Sequence, residues 1–115
     1  MNLKETIQWQ WQGYARYHQN RVNLLIHIFA VTLFWVAAIT LIVGVARVSI
    51  ITVILAIVAL FISLVLQSIG HKKEINPTVP FASKNDFIKR FLCEQFINFP
   101  RFVLTGGWLN NFHRK

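Results

Sequence analysis

Asn20, Asn23 and His27 follow one another at spacings of three and four, which places them on one face of a helix. Gln67 and His71 are four apart, with Glu74 three further on. His18 precedes the first group by two positions. Imidazoles suit first-row divalent metals such as iron, zinc, nickel and copper, and a nearby carboxylate neutralises charge. Asn20, Asn23, Arg21 and Gln67 are the side chains placed to orient the imidazoles or hold a polar substrate. The chemistry these types suggest is a metal centre with ligands His18, His27 and His71. Glu74 is the candidate fourth ligand or catalytic base. His113 stands apart in a basic tail, 112–115, and reads as solvent-exposed.

Whether those groups meet depends on what lies between them. Residues 22–46 carry no charge, and residues 48–69 are apolar except for Ser49, Thr52, Ser63, Gln67 and Ser68. Each run is long enough to cross roughly 30 Å of hydrocarbon at about 1.5 Å per residue. In lipid a helix satisfies every backbone hydrogen bond internally, so the many β-branched residues do not argue for strands. Gly44 and Arg47 mark a very short connection, so the two helices are expected to be antiparallel neighbours. His27 lies 20 residues before Arg47 and Gln67 lies 20 after it. The two polar groups then meet at one depth. An unbroken helix would point His18 and His27 to opposite sides, so a site using both requires a bend at 19–21.

Amphipathic segments flank the hairpin. Over residues 1–19, Leu3, Ile7, Trp11, Tyr14 and His18 recur at helical spacing, and Trp9, Trp11, Tyr14 and Tyr17 suit a membrane–water boundary. Residues 71–82, with Pro77 and Pro80, read as a loop. A helix is expected over 84–98, opened by Ser83 and Asp86 and ended by Pro100. Its apolar face would hold Phe87, Ile88, Phe91, Leu92, Phe96 and Ile97, and its outer polar face Asp86, Lys89, Arg90 and Glu94. It would lie along the membrane or on the hairpin. The fold expected is an all-α integral membrane protein, one domain over 1–115, built on a transmembrane helical hairpin with interfacial helices.

Composition agrees. Of 115 residues, 55% are hydrophobic and only 14% charged, against roughly 25% in a soluble domain. The formal net charge of +8 points to anionic membrane lipid, not nucleic acid, given that apolar excess. The lone Cys93 excludes an intramolecular disulfide. Eleven of the 12 Lys and Arg flank the hairpin and only Arg47 sits at its turn. Both termini are therefore expected in the cytoplasm, with the chain in a bacterial inner membrane or an ER membrane. So thin a scaffold leaves room for a homodimer.

The segment from Tyr17 through His18, Gln19, Asn20, Arg21, Val22 and Asn23 to His27, paired with Gln67-Ser68-Ile69-Gly70-His71 and then Glu74 and Pro77, resembles the 2-hydroxy fatty acid dioxygenase family. Its fungal member acts in phytosphingosine degradation, and its bacterial relatives were long a domain of unknown function. Where the family commonly has Gly and Pro after the second His, this chain has Ala30 and Thr32. The resemblance implies iron(II) as cofactor, held by the histidines, and a 2-hydroxy fatty acid and O₂ as substrates. The acid would lose its carboxyl carbon and become one carbon shorter. Two other readings fit the residues alone: a membrane adaptor or lipid-organising protein without activity, and a haem-binding hairpin with two axial histidines.

Overall fold

The computed structural model describes residues 1–114; Lys115, counted above with the basic tail, lies outside them. Every regular element among the described residues is helical. Helix α1 spans Leu3–Tyr14, α2 Arg21–Ala46 and α3 Ile50–His71. Helix α4, Lys84–Cys93, passes through a π-helical turn, Glu94–Asn98, into α5, Phe99–Leu104. Helix α6, Gly107–Phe112, closes the chain.

Helices α2 and α3 pack side by side as the hairpin, and both are long and apolar enough to cross a membrane. Each has a side-chain N-cap. Asn20 accepts from the Asn23 N–H and Ser49 from the Thr52 N–H, satisfying donors the first turn leaves free. The turn differs from the expectation. Gly44 lies inside α2, where a side chain would press on Thr52 and on the backbone of Val53. The left-handed residue is Val48, at φ 52°. The Ser49 N–H bonds to the Gly44 carbonyl at 2.9 Å and the Val48 N–H to that of Val45 at 3.1 Å. This is a Schellman cap with a β-branched residue where glycine is usual.

Helix α1 stops at Tyr14, short of the expected 19. The chain turns through 15–20 before α2 starts. Glu74 holds that turn. Its carboxylate accepts from the backbone N–H groups of Gln19, at 2.9 Å, and Asn20, at 3.1 Å, and from the Asn23 amide.

The expected 84–98 helix is corrected in two respects. Pro100 does not end it. The Phe99 N–H reaches back five residues to the Glu94 carbonyl, so the α-ladder is already broken. Pro100 then sits in the first turn of α5, where a missing N–H costs little. The faces are also reversed. Arg90, Gln95 and Asn98 are buried, while Phe87, Ile88, Leu92, Phe96 and Ile97 lie on the outer surface. Phe91 and Phe96 turn one edge inward, meeting Phe34 of α2 at 5.2 and 5.6 Å. The wide π turn points Glu94 and Gln95 toward the hairpin and Asn98 toward α1. Trp35 of α2 donates to the Gln95 carbonyl at 2.9 Å, so this segment rests well along the hairpin and not at its tip.

A left-handed β-branched residue costs about 1–2 kcal/mol, and glycine adds about 0.5–1 kcal/mol of chain entropy. Val48→Gly should therefore stabilise the hairpin by about 0.5–1 kcal/mol, read as a rise in thermal midpoint in detergent or lipid. A fall would mean that the cap is not left-handed.

Candidate metal centre

His18, His27, His71 and Glu94 form a group able to hold a metal ion, each offering one ligand atom within 4.8 Å of the others. The geometry centres on one oxygen. Glu94 Oε2 lies 3.1 Å from His18 Nε2, 3.0 Å from His27 Nε2 and 3.9 Å from His71 Nε2. The Tyr14 phenol donates to the same oxygen at 2.8 Å. The ring centroids are 4.9–5.1 Å apart and the rings nearly perpendicular.

Each member is held from a different element. His27 is on the buried side of α2, fully enclosed, beside Phe99 of α5. His71 ends α3. His18 stands in the bend, its ring stacked on Tyr14 at 3.9 Å. Asn111 of α6 donates to the Ala15 and His18 carbonyls at 3.0 and 2.8 Å, fixing the bend from outside. The π turn presents Glu94, and a reciprocal amide pair locks it. Gln67 donates to Gln95 Oε1 at 2.9 Å and Gln95 to Gln67 Oε1 at 2.7 Å. Gln67 also donates to Ser63, which donates to the Ala30 carbonyl. Asn98 donates to the Ile7 carbonyl and Gln10, tying α1 to the turn.

The donor set fits a divalent ion. His18 Nδ1 lies 2.7 Å from the Tyr14 carbonyl. A carbonyl only accepts, so Nδ1 carries a hydrogen, and Nε2 is the ring nitrogen turned toward the Glu94 carboxylate. Metal–nitrogen and metal–oxygen bonds of about 2.0–2.2 Å at right angles put two ligand atoms about 3 Å apart. The separations from Oε2 to His18 and His27 match that. Burial and the adjacent Glu94 carboxylate hold the Tyr14 phenol well above its usual range, so it remains a donor. Burial pushes the Glu94 carboxyl up, but the His27 and His18 imidazoles outweigh it and hold it well below the usual carboxylate range. Three rings converging on one oxygen do not present opposite faces to a porphyrin, as a two-histidine haem site would.

The other expected residues take different places. Glu74 is not at the cluster; both its oxygens hold the α1–α2 bend. Asn20 caps α2 and Asn23 pairs with Glu74. Gln67 braces the π turn, its amide bonded to Ser63 and Gln95. Arg21 donates to the Arg114 carbonyl at 3.3 Å and sits over Phe112, away from the cluster. His113 is exposed and outside it. Sequence reasoning missed Glu94, Tyr14 and Asn111 as parts of the site. One signal pointed to Glu94: of four acids, Glu5 and Asp86 sit in the first turns of helices, which leaves Glu74 and Glu94.

A cavity of about 820 Å³ reaches the centre. Tyr14, His18, His71 and Glu94 line its inner end, and His27 is shielded behind them. Open coordination positions would therefore face the cavity.

The chain belongs to the family described as 2-hydroxy-palmitic acid dioxygenase Mpo1-like, whose model matches residues 4–94. That span holds all three histidines, Glu74 and Glu94, and ends before α5. No curated protein and no solved structure matches the chain.

Glu94 and Glu74 can be told apart. Glu94→Gln should abolish the binding of added iron(II) by purified protein, while Glu74→Gln should retain it but lower stability by about 1–3 kcal/mol. Tyr14→Phe should weaken iron binding about 10- to 100-fold. Full iron retention in Glu94→Gln would remove Glu94 from the ligand set.

Proposed function

We propose that this protein is a membrane-embedded iron(II) oxygenase that converts a 2-hydroxy fatty acid into the fatty acid one carbon shorter. The observation that carries the reading is the convergence of three imidazole Nε2 atoms on Glu94 at the inner end of a large cavity. Family membership supplies the reaction class. His18, His27, His71 and Glu94 would hold the ion. Bound iron(II) would supply the redox chemistry by which O₂ attacks an otherwise inert substrate, as at non-haem sites with open positions. The balance closes on the two substrates: hydroxy acid plus O₂ gives shortened acid, CO₂ and water. All electrons that reduce O₂ come from the acid, so no external reductant is required.

The chain's own groups prepare this chemistry. The Tyr14 carbonyl fixes the His18 tautomer and so its free Nε2. The Tyr14 phenol, held protonated, orients the carboxylate of Glu94. Lys72 and Arg16 line the cavity on the His71 side and offer positive charge to a substrate carboxylate. Aromatic walls keep water from the reacting carbons.

The membrane placement rests on an inverted interior. Asn23, His27, Ser63, Gln95 and Asn98 are fully buried, while α2, α3 and the α4–α5 segment turn isoleucines, valines and phenylalanines outward. In water that arrangement exposes far more apolar surface than a monomer carries. In hydrocarbon it is the favourable one, because buried polar groups there find partners. The basic residues flanking the hairpin put both termini on the cytoplasmic side.

Two measurements test this reading. Spin labels at Ile88, 53% exposed, and Arg90, 7% exposed, should differ sharply in contact with a lipid-soluble relaxing agent. Equal contact would sink the inverted placement of α4. Purified protein with iron(II) and O₂ should shorten 2-hydroxy fatty acids. A chelator should abolish this and iron(II) restore it. Single Ala substitutions of His18, His27 and His71 should each cost at least about 100-fold, and His113→Ala should cost little. No shortened acid from iron-loaded protein across a range of chain lengths would end the enzyme reading.

A further inference from the structure

The cavity has two chemically different ends. At the inner end stand the imidazoles and Glu94. From there it follows α4 outward, because Glu94, Phe91 and Phe87 line it on successive turns, about 10 Å of helix. Facing them across the space are Leu64 and Ser68, one turn apart on α3. Ser68 and Phe87 both reach the outer surface, so the space opens sideways on the apolar flank of the molecule.

The far end is flanked by aromatic rings. Phe81 meets Phe87 edge-on at 4.9 Å, and Phe87 stacks on Phe91 at 5.8 Å. Phe81 belongs to the connection between α3 and α4, yet it is pinned. The buried Arg90 guanidinium lies 4.2 Å over its ring and 5.0 Å from that of Trp9. Arg90 also donates to the Val79 carbonyl at 2.7 Å and the Pro80 carbonyl at 3.2 Å. A cation among two rings and two carbonyls makes a firm wall of what would otherwise be a free loop.

Resting on the proposed reaction, we infer that the cleft between α3 and α4 receives the aliphatic chain of the hydroxy acid from the side, and that Phe81 and Phe87 set the longest chain accepted. The carboxylate and hydroxyl lie inward at His71 and His18. The volume is within the range of about 300–1,000 Å³ usual for small-molecule sites. The apolar wall suits methylenes, and the polar inner end admits only the head group. Phe81 and Phe87 are specificity-determining residues that touch the chain terminus and not the reacting carbons.

The test uses the full chain in nanodiscs and 2-hydroxy acids of graded length, some brominated at graded positions. Trp9 lines the cavity, whereas Trp11, Trp35 and Trp108 do not. Bromine far from the carboxylate should quench Trp9 most, and Trp9→Phe should remove that quenching. Phe87→Ala should move both binding and turnover toward longer acids, with affinity rising about fourfold for each methylene newly accommodated. Phe87→Leu should do so to a smaller extent, and serves if the Ala variant does not fold. Ser68→Phe, placed at the exposed rim, should reject long acids and spare short ones. Unchanged length profiles in the Phe87 variants and in Ser68→Phe would overturn the inference. Length-dependent binding without shortening of any acid would uphold the cleft and reject the proposed reaction. Shortening with length profiles indifferent to all of these changes would do the reverse.

Discussion

One carboxylate oxygen, Glu94 Oε2, organises the molecule. It faces three imidazoles and accepts from one phenol, and those groups come from α1, the bend after it, α2 and α3. A buried carboxylate is costly unless it is paired and hydrogen-bonded. Meeting that condition requires the rest of the architecture. The α1–α2 bend brings His18 back over His27. The hairpin brings His71 level with them. The π turn aims Glu94 inward. Asn111, Gln95, Asn98 and Glu74 then hold these irregular pieces of backbone, each through hydrogen bonds to main chain or to another amide. The irregularities are local costs, and all of them lie around the same oxygen.

Polar interior and apolar exterior belong to one physical solution. The Ser63–Gln67–Gln95 chain and the Glu74–Asn23 pair would compete with water if the protein were soluble. Surrounded by apolar helices, each amide has only its partner. The Gln67–Gln95 pair therefore fixes the rotation of the π turn against α3. Gly70 shows how tight this packing is, since a Cβ there would collide with Asn23 Oδ1. His27 is thus set in a firm wall, and His18, His71 and Glu94 stand between it and the cavity.

The hairpin was legible in the sequence because two uncharged runs bracket a single arginine. The meeting of His27 and His71 followed from counting residues outward from Arg47, and that of His18 with them from the bend required at 19–21. Glu94 was not legible, for a specific reason. Residues 84–98 show a good amphipathic pattern, and the rule for water sends its charged side outward. Here Arg90, Glu94, Gln95 and Asn98 turn in, and Ile88, Leu92 and Phe96 turn out. The period was read correctly and the sign reversed. Glu74 misled because proximity in sequence to His71 is not proximity to its Nε2. The backbone N–H groups freed by the bend at 19–20 have the prior need for a carboxylate. The π turn itself leaves no pattern in residue types, and Pro100 pointed to a helix end where the wide turn had already absorbed the break.

The same reversal explains why a chain this short can hold a built site. A soluble domain of 115 residues must use its apolar side chains to make a core, which leaves little interior for chemistry. Where lipid takes the apolar side chains, the interior is free for polar ones. Of ten buried hydrophobic residues, Tyr14, Phe99 and Phe102 pack directly on the histidine cluster, so even the small core supports the centre. Stability and site geometry then rest on the same contacts. A substitution that loosens Tyr14 or Gln95 acts on both at once, whereas the outward isoleucines of α2 and α3 make none of these contacts. That division follows from the distribution of polar groups, because Asn98, Asn111, Gln67 and Gln95 hold the backbone segments that carry His18 and Glu94.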